Sequence, residues 1–510
     1  MNIKTINSIP ELLQHAVKLH QQGELASAKN RYQQILQINP HQFEALHFLG
    51  VIAKQTGNPL EAISLISAAI NTVTTALNAN HASAFCNLGT AFQDCGQTEQ
   101  ALKNYQQAIL LKPDYSIAHN NLGNTFKNCG KLEAAIHSYE NALHYHPNYP
   151  DAYYNCGTTY QLQQQYTKAL NCFERAIQLK TNYPAAYFAR GVAFQSLYDY
   201  ESALVSYDQA ITLQPDYSEA YLNRGITLNK LQQFQAALDN FELAIHYQKN
   251  YAKAHHYRAN TLRQLMRIED AIEAYQCALE LGADSQQITF ALAALGVGAP
   301  PSAPPTTYVK ELFDHYAEHF DVHLVDVLKY EMPQIVATAI EKYRMRDQLD
   351  SLDLGCGTGL CGSYLRPYSR TLTGVDLSQK MLDKASQLKH YDQLICTEIT
   401  EFLSEKIDNF DLVCAADVLV YIGDLSGVFS RVHQALRSGG LFCFSVEEAA
   451  EEIQGHDFIL KATNRYAHTE QYIRHLANLY DFKIHEITQQ VARQENQKNS
   501  SALVTLLSRA

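Results

Sequence analysis

The 510-residue sequence lacks several things, and each absence removes a class of protein. No run approaches the roughly 18 apolar residues that a bilayer-crossing helix needs, and the opening MNIKTINSIPELLQ has neither the apolar stretch nor the cleavage site of a signal peptide. A cytoplasmic protein with no membrane partner is expected. CxxC pairs are missing, as are Cys and His at metal-ligand spacing, so the 11 cysteines read as free thiols and no metal is expected. Cys95, Cys129, Cys156 and Cys172 fall singly in periodic segments, where they read as buried small hydrophobes. A basic block is absent too: residues 1–300 carry 20 Lys+Arg against 23 Asp+Glu, and residues 301–510 carry 20 against 29. Nucleic-acid binding rests on Lys and Arg neutralising phosphates, so no nucleic acid is expected as a partner.

What is present first is a period. LKPDYS, YHPNYP, LKTNYP and LQPDYS set Pro113, Pro147, Thr181 and Pro215 at intervals of 34 residues. Gly89, Gly123, Gly157, Gly191 and Gly225 recur in the same register, each followed 12 residues later by Ala101, Ala135, Ala169, Ala203 or Ala237. Four residues further on come Tyr105, Tyr139, Phe173, Tyr207 and Phe241. Two helices per unit account for this: small residues where the pair crosses closely, an aromatic filling the space beside them, and Pro starting the turn to the next unit.

These residues resemble the tetratricopeptide repeat, which implies an α solenoid. Ala16, Ala28, Tyr32 and Pro40 mark a first unit, and Gly50 and Ala62 a second, with about five extra residues near NTVTTALNAN before the third. Ala271, Tyr275 and Ala278 mark a last, degenerate one. The expectation is eight repeats over residues 9–285, then a capping helix and Pro-rich linker over 286–307. Asn87, Asn121, Asn155 and Asn223 form a row two residues before the glycine of four units. An amide complements a peptide backbone, and the row is similar to the Asn ladder of the O-GlcNAc transferase solenoid. It makes these four residues candidates for holding a protein or peptide in the solenoid groove; bonding to neighbouring turns is the alternative. Tyr153, Tyr154, Tyr187 and Tyr221 read as packing between repeats.

GVGAPPSAPPTT, with four prolines and no charge, reads as a partly extended spacer at Gly296–Thr307. Beyond it, over 308–510, short apolar runs alternate with helical stretches, the pattern of a doubly wound α/β fold. SLDLGCG, TLTGVDLS, QLICTE, FDLVCAADVLV, GGLFCFSVE, DFKIHEIT and SALVTLL predict a seven-stranded sheet. The first holds Asp353, then Gly355, Cys356, Gly357 and Gly359 as GxGxG before a helix. Glycines there let a strand turn sharply and let a ligand lie on bare backbone. The spacing is one residue shorter than the dinucleotide motif, and the acidic strand end disfavours a pyrophosphate while suiting a cationic nucleoside. Asp376, 17 residues past Gly359 in GVDLS, stands where a carboxylate accepts from ribose hydroxyls; capping the next helix is compatible with that role.

DLGCGTG followed by GVDLS closely resembles motif I and its successor in class I methyltransferases. That resemblance implies S-adenosyl-L-methionine as cofactor, with Asp353, Gly355, Cys356, Gly357, Gly359, Asp376 and Leu377 around it, Glu398 (or Thr397) near adenine, and Ala416 and Asp417 at the substrate-facing edge. An NPPY-type motif is absent, which counts against amide or adenine nitrogen as acceptor. ELFDHYAEHFDVHL resembles the N-terminal lid helix of the biotin-synthesis and ubiquinone-type branch and makes Phe313, Tyr316 and Phe320 lid candidates. RYAHTEQYIRHLANLYDFKI resembles a segment of predicted methyltransferases that carry tetratricopeptide repeats, and with it the resemblance spans nearly the whole chain. Methyl transfer is an in-line displacement that needs alignment more than a base. Tyr316, Asp417, Tyr421, Glu447 and His468 are the candidates for taking a proton. Two functions stay open: a methyltransferase whose solenoid recruits a protein, and a scaffold whose methyltransferase domain acts on a small molecule or is inert.

Overall fold

The computed structural model describes residues 8–510 apart from 75, 318–319, 322–323, 325–327, 345–346, 450–456 and 496–497. The chain forms two compact units that divide between Lys249 and Asn250. In the first, antiparallel helix pairs follow one another: α1 (Ile9–Gln21) with α2 (Leu25–Ile38), α3 (Phe43–Gln55) with α4 (Pro59–Asn71), α5 (Ala82–Asp94) with α6 (Thr98–Leu111), and α7 (Ser116–Asn128) with α8 (Leu132–Tyr145). Three more are α9 (Pro150–Leu162) with α10 (Tyr166–Leu179), α11 (Pro184–Ser196) with α12 (Tyr200–Leu213), and α13 (Ser218–Lys230) with α14 (Phe234–Tyr247).

The repeated glycine and the repeated aromatic are two halves of one contact. A methyl group built on Gly191 would stand 2.6 Å from Tyr207, and one on Gly123, Gly157 or Gly225 would stand 2.6, 2.7 or 2.6 Å from Tyr139, Phe173 or Phe241. The rings are fully buried, so only a residue without Cβ lets the helices close over them. The phenols end on amides of the partner helix: Tyr105 donates to Gln93 Oε1 at 2.9 Å, Tyr139 to Asn124 Oδ1 and Tyr207 to Gln195 Oε1 at 2.7 Å. Within each pair the turn passes through left-handed backbone at Gly96 and Gly130, then at Gln164, Tyr198 and Gln232, again 34 residues apart. Tyr154 and Tyr221 pack within the solenoid, Tyr154 on Phe173 and Tyr183, Tyr221 stacked on Tyr247. Of the cysteines expected to be buried, Cys156 is; Cys95 and Cys172 are half-buried, and Cys129 is exposed because it caps α7 at the start of the turn to α8.

The second unit opens on an eighth helix pair, α15 (Ala252–Gln264) and α16 (Ile268–Glu280), followed by α17 (Ser285–Ala294). The Pro-rich stretch is not a free spacer. Pro301 O accepts from the Tyr466 hydroxyl at 2.7 Å, and Ser302 O accepts from the backbone N–H of Gly423 at 2.8 Å and of Asp424 at 3.1 Å. A run whose prolines donate nothing thus offers its carbonyls to the loops of the sheet. Then come α18 (Thr306–Tyr316), α19 (Met332–Tyr343), β1 (Leu349–Leu354), α20 (Gly362–Leu365), β2 (Ser369–Asp376), α21 (Gln379–Leu388), β3 (Gln393–Cys396), α22 (Ile399–Leu403) and β4 (Phe410–Ala415). The chain continues through α23 (Ser426–Ala435), β5 (Leu436–Glu448), β6 (Phe458–Leu460), β7 (Tyr466–His468), α24 (Glu470–Leu479), β8 (Phe482–Glu495) and β9 (Lys498–Arg509).

The seven predicted strands are all present, with β3-β2-β1-β4-β5 parallel and β9 antiparallel beside β5, β8 beyond it. Two short strands, β6 and β7, were not anticipated, because three-residue strands carry no readable alternation. Glu447 pairs Ala502 of β9 on one side and Ala467 of β7 on the other, so β7 takes the flank of β5 just beyond the end of β4. Successive residues serve opposite layers: Leu352, Val413, Phe442 and Phe444 meet α23 and α24, while Leu349, Leu412, Leu441 and Cys443 meet α19 and α20. No helix of the described residues is long and apolar enough to cross a membrane.

Replacing Gly191 by alanine is expected to lower stability by about 1–3 kcal/mol through overpacking against Tyr207. Thermal unfolding of the full chain measures it, and an unchanged melting curve contradicts the close-crossing account.

Candidate active site

The turn out of β1 is built from glycine in left-handed backbone: Gly355 (φ 67°), Gly357 (φ 54°) and Gly359 (φ 93°). A Cβ on Gly355 would overlap Val418, whereas above Gly357 the nearest atom is 3.9 Å away, on Phe320. That opening belongs to a cavity of ≈ 1060 Å³ running along the C-terminal ends of the strands, from Thr397 and Glu398 after β3 to Thr463, Asn464 and Arg465 between β6 and β7. It lies across the point where strand order reverses between β1 and β4, the usual ligand site of an open α/β sheet.

The predicted cofactor residues divide into two groups. Gly355, Cys356, Gly357, Asp376, Leu377, Glu398, Ala416 and Asp417 line the cavity; Asp353 and Gly359 do not. The expectation that both acids face the crevice is therefore corrected. Asp353 points into the α19/α20 layer, 1% exposed, and its Oδ2 accepts from the Tyr391 hydroxyl at 2.7 Å. Alternation along β1 requires this, since Leu352 and Leu354 take the other face. Gly359 faces Tyr391 and Ala385 and shapes the start of the helix rather than the wall. Asp376 does reach the cavity. Its Oδ2 accepts from Gly357 N and its Oδ1 from Ser378 N, both at 2.9 Å, which uses two of about four acceptor sites and leaves the rest for a ligand. Burial pushes its carboxyl up while these backbone N–H groups hold it down. Glu398 also caps α22, its Oε2 accepting from the backbone of Thr400 and Glu401 at 2.8 and 2.9 Å.

Phe313, Tyr316 and Phe320 line the cavity and touch one another, Phe313 meeting Phe320 at 6.2 Å and Tyr316 meeting Phe320 at 5.2 Å between ring centres. Two acids tie this segment to the floor: Asp314 accepts from Ser378 Oγ and Asp321 from Thr358 Oγ1. Among the proton-taking candidates, Tyr316 and Tyr421 line the cavity with hydroxyls made less acidic by burial, and Tyr421 packs edge-on against Phe313 at 5.3 Å. Asp417 lines it in left-handed backbone (φ 56°), its carboxylate accepting from Arg493 Nη1 at 2.8 and 3.1 Å.

His468 is excluded from that role: it is fully buried, does not line the cavity, and is bonded through Nε2 to Gly423 O at 2.9 Å. Burial lowers its pKa to about 4, so it stays neutral as a strut beneath the β4 loop. Glu447 is equally withdrawn, 4% exposed and paired with Arg493, Lys461 at 3.1 Å and Arg465 at 3.0 Å.

Sequence reasoning missed Arg263, Arg465 and Arg493, all of which line the cavity. Arg493, 2% exposed, is aimed inward by a bulge between Val491 and Arg493 where β8 slips against β9. Nothing in QQVARQE signals that slip. In the solenoid row the bonds are those of the alternative left open for it. Each half-buried amide already donates inside the repeats: Asn87 to His47 Nε2 at 3.0 Å, Asn121 to Cys86 Sγ at 3.7 Å, Asn155 to Asn120 Oδ1 at 3.0 Å, and Asn223 to Glu219 O of its own helix at 2.9 Å.

A glycine turn opening on a large cavity at the switch point of this sheet is the arrangement of a nucleoside-binding α/β domain. Residues 352–442 match a methyltransferase-domain family model, and residues 89–130, 123–164, 199–232 and 150–183 match tetratricopeptide-repeat models. The chain is thus a tetratricopeptide-repeat protein joined to a methyltransferase domain.

Among curated proteins it is similar to a biotin biosynthesis bifunctional protein BioHC of Saccharophagus degradans, 37% identical over 97 residues, 18% of this chain and 17% of that protein. A ubiquinone biosynthesis O-methyltransferase of Coxiella burnetii is 30% identical over 98 residues, 18% of this chain and 42% of that one. The matched stretch spans less than half the length of either relative. Solved structures it is similar to include a tetratricopeptide repeat protein from Parabacteroides merdae, at 19% identity and TM-score 0.39, covering 48% of this chain and 96% of that one. YrrB, described as having an unusual peptide-binding site, is 23% identical with TM-score 0.33 over 37% of this chain and 96% of its own.

Burial raises the Asp353 carboxyl to about 7, with the Tyr391 hydroxyl pulling it down and the Asp376 charge pushing it up. In the unfolded chain it ionises near 3.9, so between about pH 4 and pH 7 the folded state holds the extra proton, and stability falls as pH rises through that window. Asp353→Asn, which keeps the acceptor for Tyr391, is expected to remove this fall by a few kcal/mol. Denaturant unfolding across the window checks it; parallel curves for both proteins contradict the assignment.

Proposed function

We propose that the chain is an S-adenosyl-L-methionine-dependent methyltransferase whose repeats recruit a protein or peptide. The observation that carries the reading is the bare backbone of Gly357 opening on the cavity, clasped from below by a carboxylate that retains acceptor capacity. The cavity, ≈ 1060 Å³, stands at the upper end of the roughly 300–1,000 Å³ typical of small-molecule sites, as a nucleoside-sized cofactor requires. Asp376 would bind the ribose hydroxyls, Leu377 and Glu398 the adenine end, and the backbone from Gly355 to Gly357 the cationic end of the cofactor. When bound, the cofactor supplies a methyl group already activated by its positive sulfur.

The protein's part is alignment and dryness. Phe313, Tyr316 and Phe320, held down by Asp314 and Asp321, keep water from the strand ends. Asp417, fixed by Arg493, and the buried hydroxyls of Tyr316 and Tyr421 line the cavity, which supports them as the groups that would hold an acceptor's proton. Eleven unbridged cysteines support a reducing, cytoplasmic setting.

Titration calorimetry on the full chain is the test: S-adenosyl-L-methionine should bind, and Asp376→Ala should weaken it about tenfold or more, the scale of a lost charge-assisted hydrogen bond pair. No binding at millimolar cofactor would favour the scaffold reading. The engaged solenoid amides favour a second reading, in which the acceptor is a small molecule. Labelled cofactor in lysate separates the two: label on polypeptide supports recruitment, and label confined to small organic products removes it.

A further inference from the structure

Deepening that reading, and resting on it for the word acceptor, we infer that the methyl acceptor carries a carboxylate or phosphate held by Arg263, a residue of the last helix pair. The cavity is polarised along the strand ends. Its β1–β3 side is taken up by the glycine turn, Asp376 and Glu398; the part beyond β4 is bounded by Tyr421, Ser302, Tyr308 and the turn between β6 and β7. Arg263 enters at that far end from α15.

Its orientation is built. Nη1 donates to Asn464 Oδ1 at 3.0 Å, and Asn464 is itself 6% exposed, in left-handed backbone (φ 62°), with Nδ2 donating to the Tyr308 hydroxyl at 2.6 Å. A buried amide thus fixes the guanidinium through one of its five N–H donors and leaves the fork available.

The charge balance singles Arg263 out. Three arginines line the cavity. Arg493 is matched by Asp417 and Glu447, and Arg465 by Glu447. Arg263 donates to a neutral amide oxygen and has His256 and Tyr275 as electrostatic neighbours; among the described residues no carboxylate forms an ion pair with it. Arg263 is half-buried in the cavity wall, and a planar carboxylate or a phosphate matches the geometry of its remaining donors. The last repeat is then part of the acceptor site and sets its specificity.

The test uses the full chain with four probes of similar shape, benzoate, phenyl phosphate, benzamide and benzylamine, titrated with and without S-adenosylhomocysteine. Benzoate or phenyl phosphate should bind about tenfold or more tighter than benzamide, as expected for a hydrogen bond to a charged group, and whichever is preferred names the anion. Arg263→Gln should bring the anions down to benzamide's level, Arg263→Lys should retain most of the difference, and neither should change S-adenosylhomocysteine affinity. The inference is overturned if no anion binds the unmodified chain, if benzamide equals benzoate, or if Arg263→Gln leaves anion affinity unchanged. Anion binding that depends on Arg263 without any S-adenosylhomocysteine binding would uphold the anion site and sink the cofactor reading.

Discussion

One hydrogen bond organises the catalytic end of this molecule: the backbone N–H of Gly357, at the end of one strand, donates to the carboxylate of Asp376 at the end of the next. It forms only because the chain leaving β1 turns back through left-handed conformations that side chains resist, and because a Cβ at Gly355 would overlap Val418 from the β4 loop. The same bond orients Asp376 toward the cavity and presents the Gly357 backbone beside it. Ser378, bonded to Asp376 through its N–H and to Asp314 through its hydroxyl, extends the arrangement to the aromatic segment above. Three separate stretches of chain thereby share one small polar hinge.

The opposite wall depends on buried charge. Arg493 brings Asp417 at the end of β4 and Glu447 at the end of β5 onto one guanidinium, and Lys461 and Arg465 from the β6–β7 hairpin complete the set. Such clusters cost desolvation and stabilise little in themselves, but removing one member strands the others, typically at about 3–5 kcal/mol. Their value here is geometric: a site residue on β4 is held by a residue 76 positions later. The hairpin that supplies two of the cations also carries Asn464, so the wall's rigidity passes on to Arg263 and the helix pair before the sheet.

That pair changes the meaning of the repeats. Phe290 of α17 packs on Tyr308 and Tyr466, and the Pro-rich stretch gives its carbonyls to the Gly423 loop, so the eighth pair belongs to the same compact body as the sheet. In the first unit, by contrast, one contact recurs from the third helix pair to the seventh, glycine under a buried ring.

Periodic and local features were legible in the sequence. The 34-residue spacing of Gly191-type and Tyr207-type positions specifies helix pairs because side chains meet at fixed offsets on a helix, and GxGxG specifies the turn because glycine alone tolerates that backbone. Asp376 followed from its distance to that turn, and the aromatic trio from the resemblance of its segment to a lid helix. What the tertiary structure decided is everything set by direction or by distant pairing. Strand alternation turned Asp353 away from the cavity while Asp376 faced it; burial made His468 a neutral strut; a bulge aimed Arg493 inward; and the hairpin of the two short strands β6 and β7 delivered Asn464 to Arg263 across 201 positions of chain. A residue's type and spacing state what chemistry it can do, but its orientation depends on which strand lies beside it, and that is settled only when distant segments pack.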